Sequence, residues 1–494
     1  MIITKLIHFI HIQHSINFVR VKSTLLLHRP MKHLIIFLLS VLFISNANAQ
    51  EKVLDIKQAE KIALENYGTI KAKVNQVNSA KSSVIEAKTE YLPDVNLSAQ
   101  QVYGTANGIN GPISGYHGLA VASSGPVFPN QNWNASFGSL YVANVNWDFF
   151  TFGRSKEKVK VQSQIVSLDQ SDLAQEQFEH EIRVASTYLN LSIAQQLAKA
   201  QAENLQRSMD VQKVVIARVK NGLNPGVDSS LANAEVSNAR IALTNAQEAV
   251  SEQSNQLAIY LAIVPAPDNF LLDSAFVTKI PSDILAPPTL SADAHPVLNF
   301  YRNRVDVSDE QAKYLSTFSY PTFSLFGVYQ GRGSGFNADY GTNENDYSSS
   351  YGAGADPTRY NYLLGIGFFW DITNPFRVHY QVRAQKFTSA QYQDEYDVVD
   401  QQLRDQQVLA DTKINNALKN YREAPVEVKA SSDAFNQKSA LYKNGLATIV
   451  DLTDALYTLN RAEVDQAIVS NNVWQALLYK SAATGDFGLF INNF

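Results

Sequence analysis

The sequence contains no cysteine among its 494 residues, only 3 methionines and only 9 histidines. Without cysteine, neither a disulfide framework nor a thiol nucleophile can form. The histidines beyond His33 are scattered, and no helical or hairpin spacing brings two of them together, so we expect no histidine-based metal site. The chain also lacks a phosphate-binding loop and a nucleophile elbow. We therefore expect no enzyme activity, no metal site and no cofactor.

Charged side chains are also scarce. They make up 18% of the sequence and leave a formal net charge of −5. The basic stripes of a nucleic-acid-binding protein are missing, so nucleic acid is excluded as a partner. The abundant Ala, Ser, Asn and Gln residues suit long helices that pack through small side chains.

The N-terminal region, residues 1–49, has the pattern of an export signal. The segment that begins at Met31 has a basic start, an apolar run over 34–44 and an Ala-Asn-Ala cleavage pattern at 47–49. A membrane anchor is the alternative, but the apolar run is short for a bilayer. We predict a signal peptide cleaved before Gln50, Met31 as the true start, and an upstream extension before it.

The sequence contains an internal repeat. The segments "KNGLNPGVD" (220–228) and "KNGLATIVD" (443–451) share six of nine residues at an offset of 223, and a Trp-Asp pair at Trp147 recurs at Trp370 with the same offset. Such spacing indicates duplication of a whole unit. We predict a first repeat over 50–262 and a second over 295–480. The other segments are a Pro-rich linker over 263–294 and a C-terminal tail over 481–494, which we expect to be a short strand or disordered.

Each repeat contains two segments in which apolar and polar residues alternate. They predict strands over 92–103, 138–150, 321–330 and 361–371, joined in pairs by breaker-rich loops over 104–137 and 331–360. One apolar face and one polar face are typical of transmembrane strands. A soluble antiparallel sheet with one buried face is the alternative. Trp147 and Trp370 lie near strand ends, where an aromatic belt is expected.

Long helical segments follow the strands. Residues 155–220 contain neither Pro nor Gly, which predicts about 100 Å of continuous helix. A matching segment over 377–444 contains Pro425, expected to kink the helix or to mark a junction. The apolar stripes are narrow, so we expect coiled-coil-like packing and not a buried core helix. Four strands cannot close a barrel, whereas a trimer supplies twelve.

The duplicated order of strands and hairpins, the paired Trp-Asp blocks and one further motif resemble the TolC family of outer-membrane efflux proteins. That motif comprises Tyr442, Gly445, Asp451, Asp454 and Ala455. The resemblance implies an α+β membrane protein in which a homotrimer forms a twelve-stranded barrel in outer-membrane lipid. A long helical tunnel would continue it in the periplasm of a Gram-negative bacterium. The implied partners are a periplasmic adaptor protein and an inner-membrane pump of the RND, ABC or MFS type.

The resemblance places the two Asn-Gly turns, 221–228 and 444–451, at the periplasmic end of the tunnel. Glycine permits the left-handed backbone that ends a helix, and the leucine after it would then be exposed for the adaptor. The alternative is an ordinary hairpin with a packed leucine. The residues concerned are Gly222, Leu223, Gly445 and Leu446.

Asp451 and Asp454 share one helix face, and the resemblance implies that they ring the narrow end of the tunnel as a cation-selective gate. Like charges there would raise the pKa of each carboxyl. The alternative is helix capping. In the first repeat Leu231 replaces the second carboxylate, so we interpret Asp228 mainly as a cap.

The TolC family pattern has a basic residue two positions after the glycine of the second turn, where this chain has Ala447. We therefore expect the closed state to be held otherwise, with Tyr442 placed against the neighbouring hairpin. The predicted function is passive exit of substrates through an efflux or type I secretion duct, for which drugs, metals and polypeptides all stay open as cargo. The alternative function is a trimeric coiled-coil surface adhesin.

Overall fold

The computed structural model describes residues 53–108, 128–267, 270–273, 279–281, 284 and 294–494. The predicted signal peptide and extension, residues 1–49, lie outside this part of the chain, as do portions of the first loop and of the linker. Within the described segments, no helix is both long enough and apolar enough to cross a membrane.

Four strands form one antiparallel sheet in the order β1-β2-β3-β4. They are β1 (Asp94–Thr105), β2 (Ala135–Phe150), β3 (Thr322–Ser334) and β4 (Arg359–Phe369). The expectation of four strands per chain is confirmed. The loops after β1 and β3 lie at one end of the sheet, the loop end, and the long helices start from the other, the helix end. Among the residues that the structure describes, β1 and β4 each keep one unpaired edge.

The register assigns every side chain to one of two faces. Leu97 lies opposite Ala143, which lies opposite Tyr329, which lies opposite Tyr362. These residues belong to the apolar face. The alternating residues form the polar face, which includes Asn96, Ser98, Asn144, Gln330 and Asn361. On the edge strands the apolar face is uncovered, since Leu97 is 82% exposed and Leu364 is 75% exposed.

Helices precede and follow each strand pair. Helices α1 (Ile56–Asn66) and α2 (Gly68–Thr89) lead into β1, and α3 (Arg154–Lys220) and α4 (Gly226–Leu261) follow β2. Helix α5 (Pro296–Ser316) leads into β3, the short α6 (Tyr351–Ala355) lies in the second loop, and α7 (Asn374–Lys443) and α8 (Ile449–Thr484) follow β4. A last short helix is α9 (Gly488–Ile491).

The two longest helices have 67 and 70 residues, which is about 100 Å each. Helix α7 continues through Pro425, so the expectation of a helix junction there is wrong. Proline removes one backbone donor, but α7 packs along α8, and Ala424, the residue before the proline, is buried.

The main core lies around the middle of α3, where Tyr188 and Leu189 are fully buried. The prediction that α3 has too narrow a stripe to enter a core is wrong for this stretch, because α1, α4 and α8 all contact α3. The C-terminal segment contributes as well. Phe494 stacks on Trp474 at 4.4 Å, and α9 replaces the strand or disordered tail expected there.

Candidate functional site

The turns between α3 and α4 and between α7 and α8 have the same backbone geometry. Gly222 has a φ of +70° and Gly445 a φ of +78°. The N–H of Leu223 donates to the carbonyl of Arg218 at 2.9 Å, and the N–H of Leu446 donates to that of Leu441 at 2.9 Å. This pattern is a Schellman motif, in which glycine supplies the left-handed residue. The shared sequence therefore encodes the same helix end twice.

The leucine after each glycine projects from the turn. Leu223 is 65% exposed and Leu446 is 74% exposed. The alternative of a packed leucine does not hold within the chain. Exposed apolar residues at the same place on two turns form a surface that another protein can cover.

The two hairpins pack against each other just behind the turns. Val215 of α3, Ala232 of α4, Tyr442 of α7 and Leu452 of α8 belong to one buried cluster. Tyr442 is 1% exposed. Its pKa is raised by burial and by the nearby Asp228 carboxylate, against the opposing effect of Arg218. Tyr442 thus lies buried between the two hairpins of the chain.

Arg218 joins the hairpins directly. Its guanidinium lies over the Tyr442 ring, 5.5 Å from the centroid, and its Nη1 donates to the Lys443 carbonyl at 2.7 Å. Its Nε donates to Asn224 Oδ1 at 2.7 Å. One cation therefore binds the end of α7, the aromatic ring beside it and the first turn.

Asn224 extends this link to Asp228. The Asn224 amide donates to Asp228 Oδ2 at 2.6 Å and approaches the Tyr442 hydroxyl at 3.4 Å. Asp228 is 8% exposed and lies in the first turn of α4, after Pro225. Its negative charge interacts favourably with the positive end of the α4 helix dipole, as the charge of a capping residue would. The hydrogen bond that it accepts comes from a side chain of the turn.

Asp451 is the acidic member of the capping box at the start of α8, whose N-cap is Thr448. Its Oδ2 accepts from the Thr448 N–H at 3.0 Å, and the Thr448 hydroxyl accepts from the Asp451 N–H, which completes a capping box. Its Oδ1 lies 3.1 Å from Lys438 Nζ. The Thr448 hydrogen bonds, together with Lys438, lower the pKa of Asp451 to about 2. Within the chain, this is the opposite of the raised pKa expected from crowded carboxylates.

Asp454 differs from Asp451. It lies one turn further along α8 and is exposed. In the part of the chain that the structure describes, its carboxylate has no hydrogen bond or ion pair. Of the two predicted gate carboxylates, Asp454 alone is free to meet a cation or another copy of itself.

The two tryptophans of the predicted aromatic belt make equivalent contacts in the two halves. Trp147 Nε1 donates to the Tyr91 carbonyl at 2.8 Å, and Trp370 Nε1 donates to the Ser319 carbonyl at 3.2 Å. Each bond ties the end of a strand hairpin to the turn that leads into its first strand. Both indoles lie at the helix end of the sheet, and Trp370 is 46% exposed.

Sequence reasoning missed three residues of this site: Arg218, Asn224 and Lys438. A signal for two of them lies in the differences between the repeats. At the offset of 223, Arg218 corresponds to Leu441 and Asn224 to Ala447. Arg218 and Asn224, which lie at the first turn, thus supply the polar side chains that contact the end of α7 beside the second turn. Across the described segments, no group of three or more acidic or histidine side chains could hold a metal ion.

The comparisons with known proteins agree with this architecture. The family model described as outer membrane efflux protein matches residues 61–262 and 295–485. No curated protein sequence matches the chain. Among solved structures, CusC superposes with a TM-score of 0.71 at 14% identity over 90% of this chain and 95% of its own.

Two further structures are similar. VceC from Vibrio cholerae gives a TM-score of 0.66 at 15% identity over 87% of this chain and 96% of its own. The open state of MtrE from Neisseria gonorrhoeae gives a TM-score of 0.65 at 16% sequence identity, over 87% of this chain and 89% of its own. At these identities the structures show the fold alone, whereas the family model spans most of the sequence. The resemblance to the TolC family is therefore confirmed, and the chain belongs to the outer membrane efflux proteins, which are channels of the outer membrane and not enzymes.

Proposed function

We propose that three copies of this chain form the exit duct of a tripartite efflux or type I secretion system. The main support is the four-stranded sheet, which has an exposed apolar face and two unpaired edges among the described residues. Open edges are not tolerated in lipid, so β4 of one copy would pair with β1 of the next. Three copies close a barrel of twelve strands around a lumen lined by the polar face.

The long helices support the same assembly. Phe376, Tyr380 and Phe387 share one side of α7 and are 75%, 68% and 66% exposed. Their spacing of four and seven residues is that of a helix packing against a partner. Neighbouring copies would cover this stripe and extend the barrel as a helical tunnel in the periplasm.

The two-fold repeat, with halves over 50–262 and 295–480, belongs to this proposal. It is supported by the matching Schellman turns and by the matching tryptophan hydrogen bonds. Duplication would give six similar hairpins in a trimer. The periplasmic end of the duct would then have pseudo-sixfold symmetry, although the assembly itself is threefold.

At that end, a periplasmic adaptor protein would contact Leu223 and Leu446, and an inner-membrane pump of the RND, ABC or MFS type would deliver the substrate. Three copies of Asp454 would form the acidic ring, while Asp451 caps its helix and orders the turn. The link between Arg218 and Tyr442 would hold the hairpins closed. Transport through the duct itself is passive.

The test is single-channel conductance of the purified mature protein in a planar bilayer, with the oligomer mass measured in detergent. A trimer with a discrete conductance supports the duct. A folded trimer that conducts no ions under any condition would contradict it and favour the surface adhesin. A monomer that opens channels would contradict the shared barrel.

A further inference from the structure

Two arginines lie directly opposite each other at the loop end of the sheet. Arg332 of β3 pairs in register with Arg359 of β4. Both belong to the polar face, as do Gln330 and Asn361, the next residues on that face toward the helix end. Both are exposed.

This pairing is unfavourable by itself. Like charges directly opposite on neighbouring antiparallel strands repel each other and destabilise the pair. Among the described residues, neither Arg332 nor Arg359 takes part in an ion pair. A pair of cations that costs stability and lacks a counter-ion in the described part of the chain indicates an external one.

The rest of the barrel offers few acids at this level. In the proposed trimer β4 borders β1 of the next copy, whose only acidic residue is Asp94, at the helix end. The first loop, 104–137, contains no Asp or Glu. Two of the four acids of the second loop are engaged elsewhere, since Glu344 and Asp346 accept hydrogen bonds from asparagine amides. The other two, Asp339 and Asp356, form no ion pair with either arginine in the described part of the chain.

The two guanidinium groups border a groove of about 620 Å³ on the same face. Gln100 and Asn361 also line it. Guanidinium and amide N–H groups together form a donor-rich surface, and arginine binds carboxylates and phosphates through two parallel hydrogen bonds. The groove thus has the chemistry and the space for an anionic group.

We infer that Arg332 and Arg359 form an anion-binding site in the lumen of the barrel, specific for solutes that carry a carboxylate, phosphate or sulfonate group. This inference rests on the proposed duct. Three copies place six guanidinium groups around its outer mouth. The helix end of the same polar face carries Asp94 and Asp148. The charge along the lumen therefore changes from acidic to basic in the direction of exit, which draws anions outward.

The experiment measures reversal potential under a KCl gradient in bilayers of neutral phosphatidylcholine, which excludes binding by anionic lipid. The wild type is compared with Arg332→Gln/Arg359→Gln. We expect the chloride-to-potassium permeability ratio to fall several-fold in the variant. Block by inorganic tripolyphosphate added at the loop side should become at least about tenfold weaker.

Three further variants complete the design. Gln330→Ala/Asn361→Ala alters the neighbouring polar pair without changing charge and should keep the wild-type selectivity. Arg332→Lys/Arg359→Lys retains the cations and should keep most of the anion preference. Arg359→Glu gives Arg332 an ion-pair partner, so it should fold well and still lose the site.

The outcomes separate the two proposals. Open channels whose selectivity and tripolyphosphate block are the same in wild type and in the neutralised variants would overturn the anion site and leave the duct intact. Absence of conductance in every variant, including the wild type, would contradict the duct and the anion site with it.

Discussion

The guanidinium carbon of Arg218 lies 5.5 Å from the centroid of the Tyr442 ring and so joins the ends of two helices that belong to different hairpins. The same side chain donates to the Lys443 carbonyl at 2.7 Å, beside the second turn. Because Tyr442 is 1% exposed and Arg218 is half-buried, water screens their contact only in part. The hairpins can separate at this end only if this link breaks.

Arg218→Gln should favour the open duct. The substitution removes a cation–π contact of about 1 kcal/mol and a charged hydrogen bond of about 2 kcal/mol per chain. We expect the resting single-channel conductance to rise several-fold, with the trimer unchanged in mass. Planar-bilayer recording of the purified protein measures this directly.

Arg240→Gln is the matched control, since Arg240 is an exposed arginine on α4 away from the turn. Tyr442→Phe tests the closed state by changing the aromatic partner of Arg218. It removes only the long 3.4 Å contact with Asn224 and should raise conductance less than Arg218→Gln does. Equal resting conductance in wild type, Arg218→Gln and Tyr442→Phe would contradict a lock at this position.

The two aspartates of α8 should respond differently to substitution. Asp454→Asn removes an exposed carboxylate without a partner in the described chain and should relieve block by a divalent cation added at the periplasmic side. Asp451→Asn removes a capping box and should mainly weaken the start of α8. Block curves and the midpoint of thermal unfolding, measured for both variants, separate these roles. A divalent block relieved by Asp451→Asn and insensitive to Asp454→Asn would reverse the assignment.

The turn leucines should matter for partner binding and not for the fold. Leu223→Ser/Leu446→Ser replaces two side chains that are 65% and 74% exposed, so little packing is lost. We expect unchanged thermal unfolding and conductance but a loss of efflux in cells and of crosslinking to the adaptor protein. Val227→Ser, at an apolar residue 61% exposed in the first turn of α4, is the control. Undiminished crosslinking in the double variant would show that the leucines are not the contact.

Local patterns were enough to predict much of this fold. Alternation over 92–103 and 361–371 predicted strands because each strand has one apolar face, and the Asn-Gly pairs predicted both turns because glycine accepts positive φ. The absence of Pro and Gly over 155–220 predicted a helix that the structure shows as Arg154–Lys220. These features depend on neighbours in sequence.

Contacts between distant segments could not be predicted in this way. The bond from Arg218 to Lys443 joins two turns that are far apart in the chain, and periodicity carries no information on which turns meet. The core around Tyr188 was missed for the same reason, since its hydroxyl donates to the Leu54 carbonyl, more than a hundred residues away. The sequence pattern left Asp451 open as a gate residue or a helix cap, and the structure shows that it forms a capping box with Thr448.

Glu181 gives the protein a pH-dependent stability. Burial, and secondly the carboxylate of Glu60, raises the pKa of Glu181 from 4.5 to about 7. At a pH between 4.5 and about 7, the Glu181 carboxyl is protonated in the folded protein and ionised in the unfolded chain. The free energy of unfolding therefore falls as the pH rises through this range. Above that range the full cost of a charged, largely buried carboxylate is present.

Glu181→Gln should therefore stabilise the protein at alkaline pH and not at acidic pH. We expect a gain of about 2 kcal/mol at pH about 8, smaller than the full shift implies because the side chain keeps some solvent contact, and none at pH about 4. Thermal unfolding followed by circular dichroism across this range measures the difference. Glu203→Gln, an exposed glutamate of the same helix, should follow the wild type at every pH. A constant offset between Glu181→Gln and the wild type would assign the effect to packing, because only a titrating carboxyl makes the difference grow with pH.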